Sequence, residues 1–169
     1  WRVFLAFISL VLVPTILLTR LEGAAVSWAA FAVLGAGALG CVLGGQWAAR
    51  VGSARVAATM LAGSGLCCLL APWALGAPGW VFAAWLLAWG VTVAGDSPQF
   101  SALTAANAPR EAVGSVLTLT NSIGFAISAL SIELFVRLAQ TVPLAQLLPW
   151  LALGPALGLL ALRPLLRAA

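Results

Sequence analysis

The chain has no histidine, no lysine, a single aspartate and little charge of either sign: four acidic and eight basic side chains in 169 residues, the basic ones all arginine. Each shortage removes a class of function. Without histidine there is no Ser–His or Cys–His nucleophilic pair, so rhomboid-type proteolysis is excluded, and no histidine zinc site can form. Without lysine there is no Schiff base. With Asp96 as the only aspartate, a membrane aspartyl protease would lack its second carboxylate. The chain reads as a non-enzyme with no cofactor and no metal. Its three cysteines, Cys41, Cys67 and Cys68, sit inside apolar runs without a C-x-x-C pattern and read as small packing residues.

What is present points to lipid as the solvent. Hydrophobic residues make up 63% of the chain and charged residues 7%, where a soluble domain carries about 25% charged residues. A surface this apolar cannot be kept in water. A net charge of +4 would suggest nucleic acid in a soluble protein. Here the arginines are scattered between apolar runs, and no basic cluster exists to follow a phosphate backbone. The chain opens at Trp1 and becomes apolar by Val3, with no cleavable signal pattern. It therefore reads as a fragment or domain of a longer protein.

Six apolar runs follow one another, over residues 3–19, 24–49, 55–75, 79–106, 112–138 and 144–162. Each is close to the roughly 20 residues that a helix needs to cross the hydrocarbon core. They are too long, and too poor in polar alternation, for membrane strands. The expected fold is an all-α integral membrane bundle of six transmembrane helices, with residues 1–169 forming one domain and neighbouring helices antiparallel. Arg2, Arg50, Arg55, Arg110, Arg163 and Arg167 fall on one side, and Arg20 and Arg137 on the other. The positive-inside rule makes the first side cytoplasmic, with both termini there. Trp28, Trp73, Trp80 and Trp150 then fall near the outer interface, and Trp1 and Trp47 near the inner one, where amphipathic rings belong. Ala36, Gly40 and Gly44 form a small-xxx-small ladder in the second run, and Gly154 and Gly158 repeat the spacing in the sixth.

Asp96 is the most informative residue. It lies near the middle of the fourth run, where a carboxylate costs at least ~3 kcal/mol on insertion scales and must face protein or water. Helical spacing gathers Thr92, Asp96, Gln99 and Phe100 on one face. Pro98 removes a backbone hydrogen bond beside them, freeing a carbonyl and bending the helix. Polar side chains next to broken backbone at mid-membrane suit a substrate pathway or a coupling site. The alternative is that the span ends near Ser97 and Asp96 caps a cytoplasmic extension. In the fifth run Ser115, Thr118, Ser122 and Phe125 share a face with Asn121 on its flank. Ser and Thr can bond back to their own helix, which Asn121 does less easily; Asn121 leads the pathway reading there, with Thr118 as a second candidate. Glu133 and Arg137, four apart, are expected to pair with each other.

The segment Gly45–Gln46–Trp47–Ala48–Ala49–Arg50–Val51–Gly52–Ser53–Ala54–Arg55 reads as a loop. It resembles the cytoplasmic G-x-x-x-D-R-x-G-R-R motif of the major facilitator superfamily. Gly45, Arg50 and Gly52 match. Ala49 replaces the acid, and Ser53 and Ala54 replace basic residues, a wear typical of the second six-helix half in that family. Asp96–Ser97–Pro98–Gln99–Phe100, Ala108–Pro109–Arg110–Glu111, Gly114–Ser115 and Asn121–Ser122–Ile123–Gly124–Phe125 resemble the tenth and eleventh helices of bacterial members, some of them labelled nitrate/nitrite transporters. Gly154–Pro155 and Arg163 resemble the end of a twelfth helix. The Gly-rich nitrate signature itself is absent.

The resemblance covers nearly the whole chain. It implies the C-terminal half of a twelve-helix secondary transporter in the inner membrane, moving a small solute by alternating access. Gly45, Arg50 and Gly52 would form its cytoplasmic gate, with glycine allowing a tight turn and arginine binding helix-end carbonyls or a neighbouring acid. The partners implied are the lipid bilayer, a missing N-terminal six-helix half and a small-molecule substrate, with proton coupling as one option; nucleic acid is not among them. The alternative is a stand-alone six-helix protein whose partner copy completes a carrier or channel. Six upstream spans in the coding sequence would decide for the first reading, and an initiating Met would decide for the second.

Overall fold

The computed structural model describes residues 24–168. The first expected span, 3–19, and with it Trp1, Arg2 and Arg20, lies outside the described residues. The rest is helical throughout: α1 (Ala24–Val51), α2 (Ser53–Gly76), α3 (Gly79–Gly95), α4 (Ser97–Asn107), α5 (Val113–Ala139), a short α6 (Leu144–Leu147), a 3-10 turn over Leu148–Ala152, and α7 (Leu153–Ala168). Five stretches among the described residues are long and apolar enough to cross a membrane: α1, α2, α3 with α4, α5, and Leu144–Leu166. This is an all-helical architecture compatible with a multi-pass membrane bundle.

The first four of these stretches begin and end within two residues of the expected runs, because Arg, Gly and Pro interrupt the apolar sequence at each connection. Two local features differ from expectation. The segment read as the loop Gly45–Arg55 is helical on both sides of Gly52, which alone links α1 to α2. Gly52 has φ 91 and ψ 143 and is the only positive-φ residue described; its N–H donates to the Ala48 carbonyl at 2.9 Å. As the 55–75 run implies, α2 passes through Pro72, on to Gly76; a proline one turn from a helix end forfeits a single backbone bond, which membrane helices tolerate. Second, the last span is not one smooth helix. Pro149 and Pro155 lack the N–H groups that would continue an α pattern, and the chain tightens to 3-10 geometry between them.

α2 is the central element and packs against α1, α3, α4, α6, the 3-10 turn and α7. Its approaches to α7 are close at two points. A Cβ built on Gly65 would lie 3.0 Å from Pro155 Cβ, and one built on Gly158 would collide with the Leu61 side chain. The closest crossing joins α1 to α3. The buried residues of α1 are Val33, Gly37, Gly40 and Gly44, a 4-3-4 stripe down one face. Gly37, not Ala36, completes the ladder. Gly90, Val91, Ala94 and Gly95 of α3 receive it, and Cβ atoms built on Gly40 and Gly90 would stand 2.6 Å and 2.7 Å from the carbonyl oxygens of Val91 and Val33. Such contact is open only to glycine, and it gains dispersion energy where lipid offers no hydrophobic drive between helices.

Aromatic residues divide by position. Phe82, Trp85 and Trp89 are buried in the main core with Cys68, Leu86, Val93 and Phe135. Trp85 stacks on Trp89 at 5.5 Å, and its indole N–H donates to the Cys67 carbonyl at 3.0 Å. Trp28, Trp73, Trp80 and Trp150 are exposed and belong to the helix ends opposite those of Arg50, Arg55, Arg110 and Arg163. The fold thus has a Trp-rich end and an Arg-rich end. The expected Glu133–Arg137 pair forms at 2.7 Å on the exposed side of α5.

Candidate functional site

The break between α3 and α4 is a consequence of two residues. Pro98 has no N–H for the Ala94 carbonyl. That oxygen instead accepts the Cys41 thiol of α1 at 3.2 Å and the N–H of Asp96. The helix resumes at Ser97, with the N–H groups of Gln99 and Phe100 donating to the Asp96 carbonyl at 3.1 and 3.2 Å. At 1.5 Å per residue, Asp96 lies about 5 Å from the middle of the Gly79–Asn107 span.

Asp96 is fully buried, and Gln99 is 2% exposed. With Ser64 they are the buried polar or charged residues among those described. Their neighbours are α1 and α2. Gly44 faces Gly95, Met60 and the Gln99 amide nitrogen, and Gly95 faces the Gly40 carbonyl and the Met60 sulfur. The Asp96 side chain makes no capping hydrogen bond to α4, and α4 carries the span on to Asn107. The carboxylate does sit at the N-terminus of α4, whose aligned peptide dipoles favour negative charge.

Thr92, one turn earlier, is half-buried. Its hydroxyl donates to the Ala88 and Trp89 carbonyls at 3.0 and 3.1 Å, and its methyl lies against Gly63 of α2. The expected common face of Thr92, Asp96, Gln99 and Phe100 is thus split by the helix break. Asp96 and Gln99 turn into the bundle, while Phe100 turns toward a separate cleft.

That cleft holds about 540 Å³ and lies between α2, α4, α5 and α7, in the half of the bundle nearer the Arg-rich end. Phe100, Leu103, Thr104 and Asn107 line it from α4 at i, i+3, i+4 and i+7 spacing, and Thr120, Asn121 and Gly124 line it from α5. Leu61, Gly158 and Leu162 close its floor. Comparison with known proteins finds no match to any family model, curated protein or solved structure.

Of the five residues expected in a pathway, Asp96 and Gln99 come together at the break, Asn121 stands in the cleft, and Thr92 bonds to its own helix. Thr118 is exposed on α5 and donates to the Gly114 carbonyl at 2.9 Å. It lines neither the break nor the cleft. Thr104, Asn107 and Thr120 were not expected there. The signal for Thr104 and Asn107 was helical spacing from Phe100; Thr120 shares its face with Gly124, and only the packing of α5 and α7 turns these spacings into a cavity. Among the gate residues, Gly45 and Arg50 are exposed in the last turns of α1, and nothing lies within 4 Å of a Cβ built on Gly45. Gly52 makes the turn to α2. Among the described residues no group of three or more metal-ligating side chains comes together.

Proposed function

We propose that the chain is the C-terminal six-helix half of a secondary active transporter, moving a small solute across a bacterial inner membrane by alternating access with an N-terminal half. The observation that carries this reading is a fully buried aspartate at a helix break about mid-span. Inserting that carboxylate costs about 2.5–3.5 kcal/mol. The N-terminal dipole of α4 returns about 0.3–1 kcal/mol, or ~2 in favourable geometry. A group that binds a proton or a cation during the cycle gives a reason to keep a carboxylate there, and broken helices with polar side chains are how transporters build such sites. The resemblance of the Gly45–Arg50–Gly52 segment to the facilitator motif supports the same reading, and puts the Arg-rich end in the cytoplasm.

The exposed polar stripe of α5, Ser115, Thr118 and Ser122, also suits a partner half better than lipid. A partner copy would serve equally, which keeps the homodimeric carrier or channel as the second reading. Reporter fusions should place Ser53 inside and Gly76 outside. The deciding test is the full-length protein in proteoliposomes with a pH-sensitive dye inside, an imposed proton gradient, and neutral, cationic and anionic solutes added in turn. The expected result is flux that depends on one solute class and saturates with it. Flux that ignores the solute and never saturates would make the protein a pore.

A further inference from the structure

The walls of the α4–α5–α7 cleft are chemically one-sided. Among the described residues, no charged side chain lines it. Four polar side chains do: Thr104, Asn107, Thr120 and Asn121. Three of them spend a hydrogen on their own helix. Thr104 donates to the Phe100 carbonyl at 2.8 Å, Asn107 to Leu103 at 2.8 Å and Thr120 to Val116 at 2.6 Å. A hydroxyl that has donated keeps two lone pairs, and the Asn107 carboxamide keeps its oxygen and one N–H. Across these three side chains the acceptor oxygens therefore outnumber the one remaining donor. The remaining surface is apolar, from Leu61, Phe100, Leu103 and Leu162. A volume of about 540 Å³ is in the range that holds a drug-sized molecule.

We propose that this cleft binds an uncharged, largely apolar small molecule that presents N–H or O–H donors, such as an alcohol or a primary amide. An anion meets no cation there, and a cation meets no carboxylate, since none of the described residues that line the cleft is charged. As a substrate site the cleft rests on the transport reading above; as a binding site it does not.

The probe is 4-benzoylbenzamide, a neutral photoreactive amide, applied to the full-length protein in nanodiscs, with adducts mapped by mass spectrometry. Two relatives are compared with it: the methyl ester, which has no donor, and the free carboxylate, which is charged. Saturable labelling is expected within residues 100–107, 120–124 and 158–165. The amide should bind about five- to tenfold more tightly than the ester, the worth of one or two hydrogen bonds, and the carboxylate more weakly still. Ala161→Phe, which fills the cleft from its wall, should abolish saturable labelling, while Leu43→Phe on the exposed face of α1 should not.

Should Ala161→Phe fail to fold, Thr120→Val tests the same point. It removes an acceptor, and should weaken the amide severalfold and leave the ester unchanged. Labelling that does not saturate, or that spreads equally over the exposed face of α1, would make the cleft a lipid-facing groove and overturn the proposal. An ester that labels as tightly as the amide would overturn it too. Labelling without solute flux contradicts the transport reading alone, and flux without cleft labelling contradicts the cleft alone.

Discussion

Where α1 crosses α3, backbone lies on backbone. A Cβ on Gly40 would stand 2.6 Å from the Val91 carbonyl oxygen, and the crossing shelters Asp96 at its Arg-rich side. Along α5 the opposite holds. Gly114 has nothing within 4 Å of a Cβ position, Phe135 is the only buried side chain described in that helix, and the cleft opens beside it. α4 belongs to both regions. Gln99 faces the tight crossing, and Phe100, Leu103, Thr104 and Asn107 face the cleft. The two regions differ in what can move. Glycine-bound helices have one good packing distance, so displacement there is all-or-none. A helix with little buried surface can shift at small cost. In the transport account, a change of charge at Asp96 would be felt on the rigid side of α4 and expressed on the loose side.

The largest expected effect separates the two regions within a single helix. Gly40→Leu forces a side chain into the Val91 backbone and should destabilise the protein by more than about 3 kcal/mol, seen as loss of the monodisperse peak in heated size-exclusion runs. Gly45→Leu, five residues on and facing open space, should be neutral or raise stability by up to about 1 kcal/mol through helix propensity. Equal losses at both sites would dissolve the distinction between the packed and open faces of α1.

Next in size is Gly52→Ala. An L side chain is strained at φ 91, and the α1–α2 link consists of this one residue, so a loss of about 1–2 kcal/mol is expected. It should lower the unfolding temperature while leaving membrane insertion intact. An unchanged unfolding temperature would show that the link is free to adopt another conformation.

The smallest effect belongs to the exposed side of α5. Glu133→Gln breaks an i,i+4 pair in which both side chains are mostly exposed, and should cost no more than about 0.5 kcal/mol. A larger loss would mean that this end of α5 is covered in the assembled protein.

Helix positions were legible in the sequence because each apolar run ends in Arg, Gly or Pro, and the α3–α4 break was legible because Pro98 cannot donate. Partner-dependent features were not. The ladder in α1 is set by the angle at which α3 crosses it, and that angle selects Gly37 over Ala36. Pro72 and Pro164 look like helix ends in isolation, yet both are held inside helices. Thr118 and Thr120 are equally polar and bond alike to their own helix. Which of them lines the cleft depends on how α5 is rotated against α4 and α7, and no local pattern records that rotation. The burial of Asp96 was legible for a different reason: a carboxylate within an apolar run must face protein or water rather than lipid, and here it is fully buried.

The measurement that tests the central claim most directly is solute flux through the full-length protein carrying Asp96→Asn, with membrane content and unfolding temperature determined on the same preparation. Asparagine keeps the shape and can cap a helix nearly as well as aspartate, so a structural role would survive the change. The transport account predicts flux that is abolished, or no longer coupled to the proton gradient, in protein that inserts and unfolds like the wild type. Full, coupled flux at normal expression would contradict it and remove Asp96 from the pathway.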